Sequence, residues 1–237
     1  VPKYYSQNGE DKILWSVFDP GYKGFFVDVG ALDGKRFSNS YSFEQAGWQG
    51  LCVEVHPAYA ELVKKNRPKS VVFSGACCEC DQEEMDFYLN ELGTLSTIDP
   101  SMGEYFKKAY PKAFRGYKKV KVPARCLNTL LTEAQVPKVD MVTIDVEGAE
   151  LRVLKGFDLR KYAPSIIVCE AIDREKEIEL EVYLKTFGYH RARKLANNLF
   201  FTPARFVDKV HNAANIPRAQ LIHTDHPCND LKKAGKL

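Results

Sequence analysis

Residues 24–34 read GFFVDVGALDG, and the rest of the chain is arranged around them. Phe25, Phe26, Val27 and Val29 form a short apolar run, interrupted by one acid, Asp28, and stopped by Gly30. A continuous apolar run bounded by glycines predicts a parallel strand buried on both faces. Gly30 and Gly34 permit a sharp turn and let a ligand lie against the backbone without a clashing Cβ. Behind them, residues 37–47 (FSNSYSFEQAG) offer Ser38 or Asn39 as an N-cap and Gly47 as a stop, which predicts a helix. Strand, glycine turn and helix open a nucleotide-binding α/β sheet whose ligand sits over the strand's carboxyl end. The loop reads D-x-G-x-x-x-G, not the G-x-G-x-x-G of dinucleotide folds, which disfavours an NAD-dependent enzyme.

Toward the N-terminus, residues 4–19 predict a helix with Ser6 as its cap and Ile13, Leu14, Val17 and Phe18 at helical spacing. Either it simply covers a sheet edge, or Ser6, Gln7 and Glu10 form a polar lip over the ligand site. Downstream, residues 51–55 (LCVEV) predict a second buried strand ending at Glu54. A carboxylate there can accept both hydroxyls of a ribose; the plainer reading is a solvated strand-end acid. A helix follows at 57–67 with Pro57 in its first turn, then a third strand at 71–76. Cys77, Cys78 and Cys80 lack the paired spacing of a zinc site, so the backbone edge at Ala76 and Cys77 is expected to meet the ligand's base instead.

Residues 85–89 and 119–125 are candidate strands on either side of a loosely patterned insertion, 90–118. Eight Lys or Arg and no acid fall within 107–125, interleaved with or adjoining Tyr105, Phe106, Tyr110, Phe114 and Tyr117. This is either a solvated loop or a lid that stacks on and neutralises a substrate. After a helix at 127–135, strand 139–145 delivers Asp145; Glu147 and Glu150 follow, and Gly148 turns the chain into a helix at 149–157. Strand 165–170 delivers Glu170 to the same edge. Acids held beside buried strands need partners or a task. A helix at 174–187 precedes two strands, 189–195 and 199–202, around Asn197-Asn198, which predicts a hairpin and an antiparallel final strand.

Composition narrows the class. A chain of 237 residues, 45% hydrophobic and 27% charged, can bury one large core. A net charge of +3 gives no broad basic face, so nucleic acid is not an expected partner. No apolar run is long enough for a membrane span, and residues 1–20 lack a signal peptide's apolar centre. Seven cysteines, with Cys52 and Cys169 inside apolar runs, predict reduced thiols and a cytoplasmic setting.

Four stretches, SQNGED at 6–11, FVDVGALDGKRFSNS at 26–40, VEVHP at 53–57 and IDVEGAE at 144–150, together with NNLFF at 197–201, carry a resemblance. Over about residues 5–202 the chain resembles FkbM-type methyltransferases, a branch of the class I S-adenosylmethionine-dependent enzymes. The resemblance implies a Rossmann-like α/β fold: a seven-stranded, mostly parallel sheet with an antiparallel last strand and helices on both faces. Residues 1–203 would form the methyltransferase domain, with an insertion or lid at about 90–118. Residues 204–237 would be a helical or surface extension, or the join to another domain of a larger chain; His211, His223, His226 and Cys228 there match no standard zinc pattern.

For the site, the resemblance implies that Asp28, Gly30, Ala31 and Gly34 line the methionine part of S-adenosylmethionine, with Gln7, Ser38 and Asn39 near it. Glu54 would take the ribose hydroxyls, Ala76 or Cys77 would touch the adenine, and Asp145 and Glu147 would face the methyl group and the acceptor. A neutral alcohol is a poor nucleophile, so either Asp145 or Glu147 acts as base, or Asp145 and Glu170, with or without Glu147, hold Mg²⁺. The expected reaction is O-methylation of a sugar or glycan. The alternatives are a polyketide or other small natural product as acceptor, or a catalytically silent binding module of the same fold.

Overall fold

The computed structural model describes residues 3–216 and Leu221. In chain order the first elements are α1 (Glu10–Trp15), β1 (Phe25–Val29), α2 (Tyr41–Gln45), β2 (Gln49–Glu54), α3 (Pro57–Asn66) and β3 (Ser70–Ser74). Next come β4 (Ala76–Cys77), β5 (Gln82–Leu89), α4 (Met102–Ala109), β6 (Lys118–Arg125) and α5 (Leu127–Glu133). The remainder is β7 (Met141–Ile144), α6 (Glu150–Lys155), α7 (Leu159–Tyr162), β8 (Ile166–Glu170), α8 (Arg174–Lys185), β9 (Tyr189–Leu195), β10 (Asn198–Pro203) and α9 (Val207–His211).

Seven strands form the main sheet in the order β3-β2-β1-β7-β8-β10-β9. The pairs from β3 to β8 are parallel, and β10 runs antiparallel to both β8 and β9. This is the expected Rossmann-like arrangement. Strand alternation divides the core between the two faces. Val27 and Val29 join Leu51, Leu131, Val142 and Leu154 on one face, toward α5, α6 and α8. Phe26 joins Ile13, Phe43, Trp48, Val63 and Val210 on the other, toward α1, α2, α3 and α9. Each such fully buried aliphatic or Phe side chain contributes about 1.5–3 kcal/mol over leaving it in water. β1 is flanked by β2 on one side and β7 on the other, so the strand order reverses beside it. At such a switch point a crevice opens beyond the strands' carboxyl ends.

Several local expectations change. α1 starts at Glu10, not Ser6: the Ser6 hydroxyl donates to Asp11 Oδ1 (2.6 Å) and accepts from Gly9 N, which ties residues 6–9 into a loop. α2 begins after Ser40, because Phe37 adopts φ +58°, which no right-handed helix accommodates. The strand expected over 71–76 breaks at Gly75, where a Cβ would stand 2.5 Å from the Pro123 carbonyl oxygen. Beyond the break, β4 joins a second sheet, ordered β4-β6-β5, built from the two candidate strands flanking the insertion. The helix α7, capped by the Asp158 carboxylate at Arg160 N and Lys161 N, was not anticipated. The hairpin turns at Ala196-Asn197, one residue early, with Ala196 at φ +50° and Asn198 already paired to Leu195.

Residues 204–211 form a short 3₁₀ turn and α9, whose Val210 is fully buried on the sheet, and His211 Nδ1 lies 3.3 Å from the Ala192 carbonyl. His223, His226 and Cys228 lie outside the described residues. Cys52, Cys77, Cys78, Cys80, Cys126 and Cys169 are free thiols. Among the described residues no helix is long and apolar enough to cross a membrane.

Candidate active site

At the switch point lies a cavity of about 640 Å³. Of the residues singled out from sequence, Gln7, Asp28, Gly30, Ala31, Ser38, Asn39, Glu54, Ala76, Cys77, Asp145, Glu147 and Glu170 all line it. Gly34 does not. It turns at φ +76° against α3, where a Cβ would lie 3.0 Å from Arg67 Cγ and 3.2 Å from Val63 Cα. Ser6 and Glu10 also stay outside the lining: Glu10 is buried and accepts from Asn8 Nδ2 (2.9 Å) and Asn198 Nδ2 (3.0 Å). Gln7 alone of the expected lip faces the cavity.

The floor depends on one close approach. Gly30, at φ +88°, passes so near the end of β7 that a Cβ would sit 1.9 Å from the Asp145 carbonyl oxygen. Its N–H donates to Val53 O at 2.9 Å, which binds β1's exit to β2 as well. Left-handed conformations recur around the cavity: Leu32, Phe37, Leu95 and Glu147 line it at φ +53°, +58°, +64° and +58°. Strained backbone of this kind concentrates at functional sites.

Asp28 is held by a buried cation that sequence reading missed. Arg67, fully buried at the end of α3, donates from Nη2 to Ser38 Oγ (2.6 Å) and Ser40 Oγ (2.7 Å) and lies 3.4 Å from Asp28 Oδ2. Ser40 also donates to Asp28, and Arg67 reaches Gly34 O and stands 3.5 Å from Glu44. Burial raises the Asp28 carboxyl above its ordinary value, while Arg67 and the two serines pull it back. Glu54 is organised by backbone alone: Oε2 accepts from Leu32 N and Oε1 from His56 N, both at 2.8 Å. Burial pushes it up to about 7 against those donors. Each oxygen keeps a lone pair for a further donor.

Across the cavity, Asp145, Glu147 and Glu170 bring one oxygen each to within 4.8 Å of one another. Asp145 presents exposed surface to the cavity; Glu147 and Glu170 are half-buried. Withdrawal from bulk water, then Glu170 and Glu150, drives Asp145 well above its ordinary value. Burial, then Asp145, raises Glu147 to about 8; burial, then Glu147 and Glu150, raises Glu170 to about 8. Three carboxylates this close cannot all ionise near neutrality. Glu147 Oε1 accepts from Leu95 N (3.2 Å), and Glu170 Oε1 from Asn197 Nδ2 (3.4 Å), while Glu170 Oε2 is buried with no partner among the described residues. Glu150, the third acid of the motif, turns away to accept from Val146 N and Gly148 N (both 3.1 Å), closing the loop that carries Glu147.

Much of the remaining wall comes from residues with no local sequence signal, Phe87 and Leu89 of β5 with Leu92–Ser96 and Ile98 of the insertion, joined by Tyr110, Ala113 and Asn197. His56 lines the cavity too, its buried Nδ1 without a partner among the described residues and its ring 4.9 Å from Tyr59. Most of the insertion's aromatics do not reach the cavity. Phe106, Phe114 and Tyr117 pack with Leu95 and Met102 in a small core of their own.

The sequence matches the methyltransferase FkbM domain over residues 28–195, which span β1 to β9 and hold every cavity acid. The chain belongs to the FkbM methyltransferase family. That membership makes it an S-adenosylmethionine-dependent methyltransferase. No curated protein gave a significant match. Among solved structures it is similar to a precorrin-6y C5,15-methyltransferase from Geobacter metallireducens (13% identity, TM-score 0.44, covering 81% of this chain and 84% of that one). It is also similar to a TehB-like S-adenosylmethionine-dependent methyltransferase from Corynebacterium glutamicum (11%, 0.44, 83% and 88%). A third is an O-methyltransferase from Bacillus cereus in complex with SAH (10%, 0.41, 81% and 77%). In this FkbM chain the glycine turn and the IDVEGAE segment meet at the Gly30–Asp145 contact, so the two stretches form one floor.

Proposed function

We propose that the chain transfers the methyl group of S-adenosylmethionine to a hydroxyl of a sugar or glycan. The observation that carries this reading is the gathering of Asp145, Glu147 and Glu170 within 4.8 Å in the same cavity that holds Glu54 and the glycine turn. Glu54 receives the ribose hydroxyls on its remaining lone pairs. Gly30 and Ala31, beside Asp28, Gln7, Ser38 and Asn39, take the methionine part, and Ala76 or Cys77 meets the adenine. The sulfonium methyl is already electrophilic, so the protein's task is alignment and proton removal. The acceptor oxygen attacks the methyl carbon, the S–C bond breaks to release S-adenosylhomocysteine, and the hydroxyl proton passes to the acid cluster. The cluster's ionised member takes it, and a carboxyl raised to about 8, such as Glu147, is in its ionised form a stronger base than an ordinary carboxylate.

The same three carboxylates, oxygen donors only, with the unpartnered Glu170 Oε2 among them, also fit a hard divalent cation such as Mg²⁺. Bound there, it would lower the acceptor hydroxyl's pKa. Turnover lost in chelator and restored by Mg²⁺ supports that role; full turnover in chelator ends it.

One observation favours a second acceptor class. Phe87, Leu89, Leu92, Leu95 and Ile98 make one wall of the cavity apolar, which suits a polyketide-like small molecule. The test is calorimetric titration with S-adenosylmethionine and S-adenosylhomocysteine, followed by an S-adenosylhomocysteine-release assay over glycans, free sugars and polyketide alcohols. Cofactor binding lost in Glu54→Ala, with turnover on a saccharide, is the expected result. Turnover on apolar alcohols alone moves the acceptor to the second class. Cofactor binding without turnover on any acceptor favours a silent binding module, and no cofactor binding refutes the site.

A further inference from the structure

The insertion that walls the cavity has two electrostatic faces. Inside, the charged side chains lining the cavity among the described residues are Asp28, Glu54, Asp145, Glu147 and Glu170, with Arg36 as the one cation and His56 beside them. In the segment that carries the lining residues Tyr110 and Ala113, Lys107, Lys108, Lys112, Arg115 and Lys118 are all exposed, with no ion-pair partner among the described residues and no acid between 105 and 125. Two other lysines of the run already share one acid: Lys119 and Lys121 lie 2.7 and 2.6 Å from Asp86. A favourable placement of Lys107 and Lys108 at the C-terminal end of α4's dipole accounts for part of this, but not for Lys112 and Arg115 beyond the helix.

The basic segment is anchored beside the acids. Tyr105 of α4 donates its hydroxyl to Ile172 O at 3.0 Å, two residues past Glu170. Met102 Sδ of the same helix lies 3.1 Å from where a Cβ on Gly148 would be, next to Glu147. Phe106 fastens the helix to Leu95, itself a cavity residue. From this anchored helix the chain runs directly to Tyr110 and Ala113, which line the cavity on either side of Lys112. A ligand that carried its negative charge to the floor would meet five carboxyls. One that sends a neutral hydroxyl inward brings no charge to the carboxyls, while an anion left beside the lysines meets opposite charge there.

We propose that the acceptor is a phosphate-bearing saccharide, its sugar hydroxyl presented to Asp145, Glu147 and Glu170 and its phosphate held by Lys107, Lys108, Lys112 and Arg115. The inference rests on the methyl-transfer reading of the cavity. Phosphate oxygens accept charge-assisted hydrogen bonds from Lys and Arg, and exposed contacts of this kind weaken as salt screens them.

The test titrates inorganic pyrophosphate into the S-adenosylhomocysteine-loaded protein. Saturable binding is expected, weakened at least tenfold in Lys107→Gln/Lys108→Gln/Lys112→Gln/Arg115→Gln and by added salt, with S-adenosylhomocysteine affinity unchanged. The control Lys119→Gln/Lys121→Gln removes charge nearby and should leave the affinity within twofold. UDP-glucose and glucose 1-phosphate then separate a nucleotide-linked from a simple phosphorylated sugar. No saturable pyrophosphate binding, equal weakening in the control, or tighter binding of an oligouridylate lost in the same basic-segment variant each overturns the proposal. Failure to bind S-adenosylhomocysteine would instead refute the underlying cofactor site.

Discussion

Replacing Gly30 by Ala tests how the floor of the cavity is built. The new methyl would have to occupy space 1.9 Å from the Asp145 carbonyl oxygen and 2.9 Å from its carbon, both backbone atoms. That oxygen cannot simply recede, because Asp145 N is tied to Val29 O at 2.9 Å. Holding an L-residue at φ +88° costs about 1–2 kcal/mol, and forcing a methyl into packed backbone about 1–3 kcal/mol more. The expected loss is therefore about 2–5 kcal/mol. Because β7's end must shift, Asp145 moves with it, and S-adenosylhomocysteine affinity should fall by about tenfold or more, 1.4 kcal/mol on the scale of binding. Urea unfolding followed by circular dichroism, with calorimetric titration of S-adenosylhomocysteine, measures both. Gly34→Ala is the matched comparison: it has a similar positive φ, but its Cβ meets Arg67 and Val63 away from the cavity lining. It should lose stability with little change in cofactor affinity. A loss below about 1 kcal/mol in Gly30→Ala, with unchanged affinity, would refute the close-approach argument.

Further outcomes follow from the buried charges. Arg67→Met strands Asp28 and Glu44 without their cation, and urea unfolding should show a loss of about 3–5 kcal/mol; an unchanged midpoint would contradict the network. Glu147→Gln should lower kcat about 10²–10⁴-fold in the S-adenosylhomocysteine-release assay while leaving cofactor affinity intact; unchanged kcat removes Glu147 from proton transfer. Asp11, Glu54, Glu147 and Glu170 stand at about 6, 7, 8 and 8, above ordinary values of 3.8 for Asp and 4.5 for Glu. The folded state therefore binds more protons than the unfolded one across that interval. The contribution of these four groups in the ligand-free protein is fully present below the ordinary values and is lost as pH rises through about 8. Glu79, Asp81, Asp86 and Glu177, held below ordinary values, act only in the acid range, so the fall shows between about pH 5 and 8. Thermal melts across the window that rise with pH would contradict the assignment.

Much of the site was legible because its signals are local. Apolar runs ending in Asp28, Glu54, Asp145 and Glu170 announce strands, and parallel strands deliver their last residues to one edge whatever the loops do. What was illegible depends on contacts distant in sequence. Nothing near Arg67 indicates that it will be buried among Asp28, Ser38 and Ser40, some thirty residues away. The helix expected from Ser6 gave way because Asp11 captured the serine hydroxyl, a side-chain competition that periodicity does not register. Nor does the pattern of the insertion say that Phe106, Phe114 and Tyr117 pack on one another while Leu92–Ser96 face the cavity.

By itself the sequence determined the sheet class, the family and the edge on which the acids stand, since each follows from short motifs and strand periodicity. Only the tertiary structure decided that Gly30 serves the cavity while Gly34 serves α3, that Glu150 closes a loop while Glu147 faces the site, and that Tyr110 and Ala113, on either side of Lys112, reach the cavity. Those choices depend on which backbone lies within a few ångströms, and that distance is set by how sheet, insertion and helices pack together.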